Sequence, residues 1–417
     1  MQSLTDANGC FASMEKVYCP SIRFRPVVVL SSNDGYIIAV CSIAKRLGIP
    51  KFQPYFKIKS LLKRHNVVVR SSNYELYGDI SDKMMSVIAR FSDATYQYSI
   101  DEAFSRFTNF ESLVSDWYKY GHEIRRAVFR ETRMPVGVGF GETLTLAKAA
   151  NFASKKLPDS DGVAVIDDEY SRKNTLRQMK LDDVWGVGPK LNQKLGLLGL
   201  TNAFDLACCS PKAMRQQFGV TVERTIEELN GVKCLSWDDI TPPKKEIFST
   251  RTFGHRITNA NDLRVALTSH AIKVRNRALE QKSLIKKLYI FACNSPYDLK
   301  YIKKGFMYSF PIATDNVCSI SSAVEAVVKS LYMPDVLYSR CGVGAVELES
   351  LDFQQRDFFK AADNPALMNC YNKINQKFGK GSLVLGTEAR QESITKRSNY
   401  LSPRYTTRWE EVPIISC

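Results

Sequence analysis

The sequence predicts an α+β multidomain protein, and three observations carry that expectation. Its 417 residues exceed what one hydrophobic core organises. Residues 1–165 alternate strand-like and helix-like segments, the pattern of a mixed sheet with helices packed on it. A polar, proline-paired linker, Thr241-Pro242-Pro243-Lys244-Lys245-Glu246, precedes a second, independent β-α-β-β-α-β series. With 44% hydrophobic and 24% charged residues, the composition is that of ordinary globular domains and not of a disordered chain.

Taken in order, Ser3–Ala7 alternates apolar and polar residues as a short strand does. Val27–Leu30 and Tyr36–Val40 read as two strands across the turn Ser31–Gly35, inside an insertion, Pro20–Asn73. Ile80, Met84, Val87, Ile88 and Phe91 recur at helical spacing. Ala94–Ile100 and Ala103–Phe107 read as strands that meet at Asp101-Glu102; Leu113–Val128 is helical, Pro135–Phe140 a strand and Leu144–Lys155 a helix. Asp182–Cys208 is helix-rich around a short glycine turn. Past the linker, Ile247–Phe253, Leu263–Ala278, Ser283–Asn294, Gly305–Ile312, Ser321–Leu331 and Arg340–Leu348 form the second split-βαβ unit. From Leu351 onward the chain is polar and partly basic, and no core of its own is expected there.

Lys plus Arg number 58 against 43 for Asp plus Glu, a net +15 that points to a polyanionic partner. The apolar runs, such as Val27–Leu30 and Val67–Val69, are too short to span a bilayer, and the first ten residues lack a secretory leader's basic and apolar regions. Eleven scattered cysteines without a C-x-x-C, and four histidines without H-E-x-x-H, argue against a disulfide scaffold and a zinc enzyme.

Three carboxylates stand out. Acidic pairs also occur at Asp167-Asp168, Asp182-Asp183, Glu227-Glu228, Asp238-Asp239 and Glu410-Glu411, where solvated surface is the ordinary reading. Asp101-Glu102 differs because Tyr96–Ile100 and Ala103-Phe104 flank it with sheet-core residues, and Asp6 likewise ends an apolar strand. Carboxylates held beside a core repel one another unless a cation neutralises them, and three converging ones suit two Mg²⁺ ions. The turn Gly186-Val187-Gly188, leading into Lys190, fits equally well a phosphate-binding helix–turn–helix and a plain αα-hairpin. Gly137-Val138-Gly139-Phe140-Gly141 lacks the full dinucleotide spacing and reads as a strand end. In the second unit Arg251, Arg256, Arg264, Lys273, Arg275, Arg277, Lys286, Lys287, Lys303 and Lys304 lie off the apolar stripes and favour phosphate-backbone contact over a merely solvated face.

Asp6–Ser13, Ser71–Tyr77 and Tyr98–Phe104 resemble the Y-family of translesion DNA polymerases, and Asp182–Lys190 resembles that family's thumb hairpin. Ser32–Gly35, Ser71–Tyr77, Asp182–Gly186 and Leu401–Arg408 resemble its UmuC branch, the catalytic subunit type of bacterial polymerase V. The resemblance implies a right-hand polymerase. Its ferredoxin-like palm would occupy 1–20 and 74–165, small fingers 21–73 and a helix-hairpin-helix thumb 166–240. A linker would follow at 241–246, a split-βαβ little finger at 247–350 and a tail at 351–417. It implies metal binding by Asp6, Asp101 and the carbonyl of Ala7, with Glu102 supporting metal and primer end. Phe11 would be the steric gate beneath the sugar, with Lys45 and Lys155 on the triphosphate. DNA contacts fall on Gly186, Gly188, Lys190, Arg251 and Arg256. Gln355-Arg356-Asp357-Phe358-Phe359 resembles the short peptides that grip the sliding clamp, through Gln355, Asp357, Phe358 and Phe359. A processed UmuD dimer and RecA are the further partners implied, in a bacterial cytoplasm at the nucleoid.

The sequence departs from that branch at Val40 and Cys41, where Arg and Asn are usual, at Ser42 and Ile43, at Leu144 in place of Lys, and at Ser105-Arg106. Each change removes a polar or charged group expected near nucleotide or primer, which implies an active but slower enzyme. Two other classes compete with it. One is a catalytically weak or inactive DNA-bound scaffold subunit; the other is a different two-metal nucleotidyl transferase or cyclase on the same palm.

Overall fold

The computed structural model describes every residue except 111–112, 158–159, 238–242, 354–364, 380, 389–396, 413 and 415–417. The chain forms two compact units, Met1–Thr241 with Asn399–Cys417, and Pro242–Ser398.

The first unit contains β1 (Gln2–Ala7), β2 (Val27–Leu30), β3 (Ile37–Val40), β4 (Val68–Ser71), β5 (Ala94–Gln97), β6 (Glu102–Arg106), β7 (Val136–Gly141) and β8 (Val163–Ile166). They make a five-stranded sheet, β5-β6-β1-β7-β8, and a three-stranded sheet, β3-β2-β4. In the larger sheet β1 runs antiparallel to both β6 and β7, so the acidic end of β1 is enclosed by a strand on each side. The Val-rich β2 is wholly buried, paired antiparallel to β3 and parallel to β4.

Gly137-Val138-Gly139-Phe140-Gly141 makes up most of β7 and ends it, as the strand reading expects, and is buried at every position. Its two faces explain its alternating composition. Val136, Val138 and Phe140 join the core with Ile124 and Val128 of the helix Trp117–Thr132. The glycines lie under the helix Leu144–Lys156, where a Cβ at Gly139 would run into the backbone of Ala150 and Asn151. Glycine there permits an approach that any side chain would block.

The helices Glu169–Gln178, Pro189–Leu197, Ala203–Ala207, Pro211–Phe218 and Val220–Leu229 pack Leu176, Leu195, Leu206, Ile226 and Leu229 together with Leu146, Ala149 and Ala150. Glu228, fully buried, fixes this helical part to the start of the helix Leu144–Lys156. Its Oε2 accepts from Thr145 N at 3.0 Å, and its Oε1 accepts from Cys234 N at 2.8 Å and Leu235 N at 3.1 Å.

In the second unit β9 (Ile247–Ile257), β10 (Ser283–Cys293), β11 (Lys303–Thr314) and β12 (Tyr338–Ser350) form an antiparallel sheet in the order β11-β10-β12-β9. The helices Ala260–Glu280 and Val317–Leu331 cover one face, burying Leu263, Leu267, Ala271, Val274, Ile320, Val324 and Leu331.

The residues after Leu351 depart from expectation. The helix Pro365–Lys377 places Met368 and Tyr371, one turn apart, in the core of the second unit. Arg275, expected outside on a phosphate-binding face, is 1% exposed instead. It donates to Asp315 O at 2.7 Å and to Asn372 Oδ1 of that added helix at 2.6 Å, which compensates the buried charge. The described residues from Asn399 onward return to the first unit, where Tyr400 and Tyr405 pack against its core. Among the described residues no helix is long and apolar enough to cross a membrane.

Candidate active site

Strand register pairs two of the three predicted carboxylates, and a backbone bond holds the third next to them. Asp6, near the end of β1, lies opposite Glu102, the first residue of β6, and Ala7 N donates to Asp101 O at 2.9 Å. Ser99 shapes the turn between β5 and β6. Its hydroxyl bonds Asp101 Oδ1 at 2.5 Å and accepts from the backbone N–H of Asp101 and of Glu102 at 3.2 and 3.1 Å.

Two lysines face these acids from the helix Leu144–Lys156, two turns apart and so on one side of it. Lys155 Nζ lies 2.5 Å from Asp6 Oδ1, and Lys148 Nζ lies 3.3 and 3.2 Å from the two oxygens of Glu102. Lys148 also sits over the rings of Tyr98, Trp185 and Phe104, at 4.5, 5.4 and 5.7 Å from their centroids. Lys148 carries no expectation from sequence; the aromatic residues flanking Asp101-Glu102 are the signal that could have found it. Burial pushes the Asp6 carboxyl up to about 6, with Glu102 and Asp101 adding to the rise and Lys155 opposing it.

Among the described residues no three His, Cys, Asp or Glu side chains already converge on one metal-sized point. The donor chemistry nevertheless fits a hard divalent ion. Carboxylate and carbonyl oxygens are what Mg²⁺ takes, and the electrostatic deficit at Asp6 is what such an ion relieves.

Phe11 lies in the helix Cys10–Val17, which leaves β1 through the left-handed Gly9 (φ 58°). Its ring stacks on Tyr77 at 4.8 Å with the planes 16° apart, and meets Tyr74 edge-on at 5.8 Å. Lys45 stands exposed on the short helix Ser42–Arg46, while Lys155 and Lys148 engage the carboxylates. That helix starts beside Cys41, whose Cα lies 3.8 Å from where a Gly9 Cβ would be.

Gly186 (φ 90°), Gly188 and Lys190 are exposed at the entry to the helix Pro189–Leu197, which Gly188 caps without a side chain. The element before the turn is only a single 3₁₀ turn, Leu181–Asp183. In the second unit Arg256 is held bidentately by Asp298 at 2.7 and 2.6 Å. Arg251 falls on the helix-facing side of β9, opposite the buried Cys341. The helix-free face of that sheet instead carries Arg340, which donates to Thr250 Oγ1 at 3.0 Å, and Lys303, 5.2 Å over the Phe291 ring. Neither Arg340 nor the glycine floor beneath these rings was singled out from sequence: Cβ atoms at Gly305, Gly342 and Gly344 would strike Tyr289, Phe291 and Phe248. The expected clamp-binding peptide, with Gln355, Asp357, Phe358 and Phe359, lies outside the described residues.

Of the departures expected to thin the nucleotide site, Ser42 and Arg106 are exposed, whereas Val40, Ile43 and Leu144 belong to cores. Val40 is buried and Ile43 packs against the same core. Leu144 is buried with Leu4, Phe104 and Ala147.

The sequence matches the impB/mucB/samB family over residues 5–151 and that family's C-terminal domain over 244–358. Residues 365–415 match a family described only as a domain of unknown function. Protein UmuC of Salmonella typhimurium is 36% identical over 99% of both chains. The chain belongs to the UmuC family. Protein MucB of Salmonella typhimurium is a further UmuC-type relative, 33% identical over 99% of both chains. The UmuC-family fold is similar to that of a Dbh–Dpo4 chimeric Y-family DNA polymerase, with a TM-score of 0.64 at 19% identity over 82% of this chain and 98% of the other. An insertion ternary complex of Dbh DNA polymerase gives a TM-score of 0.51 at 19% identity over 84% and 98%.

Proposed function

We propose that this UmuC-family chain is an error-prone, template-directed DNA polymerase that copies past damaged bases. The observation that carries the reading is the pairing of Asp6 with Glu102 by strand register, with Asp101 tied to Ala7 beside them, beneath two lysines on one helix.

The 3′ oxygen of a primer attacks the α-phosphorus of a bound deoxynucleotide. The new O–P bond forms as the bond to the β-phosphate oxygen breaks, and pyrophosphate leaves with the proton passing to solvent. Asp6, Asp101, Glu102 and the Ala7 carbonyl would hold two Mg²⁺ ions, which would supply activation of the attacking oxygen and neutralisation of the leaving one. Lys155 exchanges its contact with Asp6 for the incoming triphosphate, and Lys45 approaches it from the fingers. Phe11 lies beneath C2′ and excludes a ribose hydroxyl. Lys148, held between Glu102 and three rings, keeps that carboxylate aimed at the primer end.

We assign the palm to 1–20 and 74–165, fingers to 21–73, thumb to 166–240, linker to 241–246, little finger to 247–350 and the tail to 351–417. The exposed Gly186–Lys190 turn grips a template or primer phosphate, and the little finger adds Arg256, Arg340 and Lys303 to the electrostatic contact, without Arg251, which lies on the helix-facing side of its sheet. A processed UmuD dimer, RecA and the sliding clamp, the last through Gln355–Phe359, are the proposed partners at a bacterial nucleoid. An inactive scaffold is the weaker reading, because Val40, Ile43 and Leu144 fill cores while the carboxylates stand intact.

Primer extension with Mg²⁺ on damaged and undamaged templates, with and without these partners, tests the proposal. Template-dependent extension past the lesion is expected; DNA binding without extension under every condition favours the scaffold instead.

A further inference from the structure

We propose that Ser402, in the segment that returns to the first unit, is a positioning residue for the sugar gate: through Glu15 and Tyr77 it fixes the Phe11 ring, and so helps to set the preference for deoxy- over ribonucleotides. This inference rests on the polymerase reading above, and it gives a role to part of a region matched only to a domain of unknown function.

The contacts run in series. Tyr77 lies flat against Phe11. Its hydroxyl donates to Glu15 Oε1 at 2.5 Å, and Ser402 Oγ donates to the same oxygen at 3.0 Å. Glu15 lies one turn beyond Phe11 on the same helix, so the carboxylate ties the support of the ring to the element that carries it. Tyr77, Glu15 and Ser402 are each 2% exposed or less. Burial pushes the Glu15 carboxyl up, and the hydrogen bonds from Tyr77 and Ser402 offset part of that cost.

Ser402 is itself held firmly. Asn73 Nδ2 donates to Ser402 O at 3.0 Å and to its Oγ at 3.1 Å. Just upstream, Ser71 and Tyr400 exchange bonds, Tyr400 N to Ser71 Oγ and Ser71 N to Tyr400 O, each at 3.0 Å. Asn399 N donates to Asp34 Oδ2 at 2.8 Å, and the hydroxyls of Tyr55 and Tyr400 meet at 3.0 Å. The segment therefore clasps the inserted sheet to the start of the helix Tyr74–Ile88, which bears Tyr77.

A steric gate discriminates only as well as its ring resists displacement, because a clash that can relax costs little. Phe11 yields if Tyr77 yields, and the Tyr77 hydroxyl is pinned by an oxygen that Ser402 also binds. Losing the Ser402 hydroxyl takes one of the two hydrogen bonds from Glu15 Oε1 in a buried site. The carboxylate is left to Tyr77 and to Arg70 Nε, 3.6 Å from its other oxygen, which loosens the hold on Tyr77.

The experiment measures kcat/KM for a deoxynucleotide and its ribonucleotide in primer extension by the full chain. The variants are Ser402→Ala, Tyr77→Phe (which keeps the ring and removes one oxygen), and both in a Phe11→Ala background. Arg408→Ala, which breaks the exposed pair with Glu75 in the same segment, is the control. The deoxy-to-ribo ratio is expected to fall about tenfold in Ser402→Ala and Tyr77→Phe, to stay unchanged in Arg408→Ala, and to show no further fall once Phe11 is alanine. Unchanged ratios in both single variants of an active enzyme overturn the inference, as does an equal fall in the Phe11→Ala background. Thermal unfolding identifies a variant that fails to fold, in which case the other variant decides. A wild-type chain that extends no primer removes the polymerase reading, and this inference with it.

Discussion

Lys155 reaches Asp6 at 2.5 Å by passing over Gly137, the β7 residue paired with Asp6 that has no side chain to obstruct it. The register that brings Asp6 to Glu102 on one side thus brings it to a bare strand position on the other. The acid receives its cation through that opening, and the lysine remains on a helix from which it can turn to another anion.

Gly137→Ala tests this opening. A Cβ there would lie 2.9 Å from Ser154 Oγ and 3.1 Å from Lys155 Cε, so these two side chains must shift, with no helix backbone among its nearest atoms. Expected is a rise of several-fold in deoxynucleotide KM at nearly unchanged melting temperature. Gly139→Ala meets backbone instead and should cost about 3 kcal/mol in urea unfolding. Equal effects of the two substitutions on stability would show that Gly137 serves packing alone.

Asp6 predicts a pH signature. Its carboxyl titrates near 6 in the folded chain, above the ordinary carboxylate range, with burial as the largest cause. The folded state therefore holds this proton more tightly than the unfolded one does. The stability tied to that proton is present below about pH 4 and is lost as pH rises toward 6. Asp6→Asn should consequently gain melting temperature relative to wild type as pH rises from about 4 to 6, and then level off. Adding Mg²⁺ at pH 8 should raise the wild-type value more than the variant's. A difference that does not change with pH would show that Asp6 ionises like an exposed acid.

Asp101→Ala should abolish primer extension while leaving DNA affinity nearly unchanged, because affinity comes from cationic surfaces elsewhere. Glu102→Ala should retain a residue of activity, and it leaves Lys148 over its three rings without a carboxylate. Single-turnover extension beside a filter-binding isotherm separates the two quantities. Full extension by Asp101→Ala would displace the proposed centre.

The acids were legible in sequence because each ends or begins a strand flanked by apolar residues, and β1 and β6 have only one register that buries Leu4 and Phe104. The strand over Gly137 to Gly141 was legible, but the reason for its glycines was not: they mark where a helix presses on the strand. Arg275 flanks an apolar stripe and reads as an outward phosphate contact until the helix Pro365–Lys377 covers it. The Ser402–Glu15 bond joins residues 387 positions apart, and no local pattern announces such a pair.

Leu144→Lys restores the residue usual in the resembled family and discriminates between two accounts of that departure. If position 144 served the nucleotide, the change would raise activity. The structure places Leu144 at 1% exposure among Leu4, Phe104 and Ala147, with Tyr96, Tyr98, Trp185 and Trp237 around them. An ammonium introduced there loses hydration and gains no carboxylate within that apolar cluster, so it must stay neutral or force the rings apart. The variant should lose about 2–3 kcal/mol in urea unfolding, with the loss smaller at high pH where the amine sheds its proton. Its deoxynucleotide kcat/KM should not exceed that of the wild type. An increase in kcat/KM without loss of stability would place residue 144 on the nucleotide side, and its apolar packing would then be incidental to the reaction.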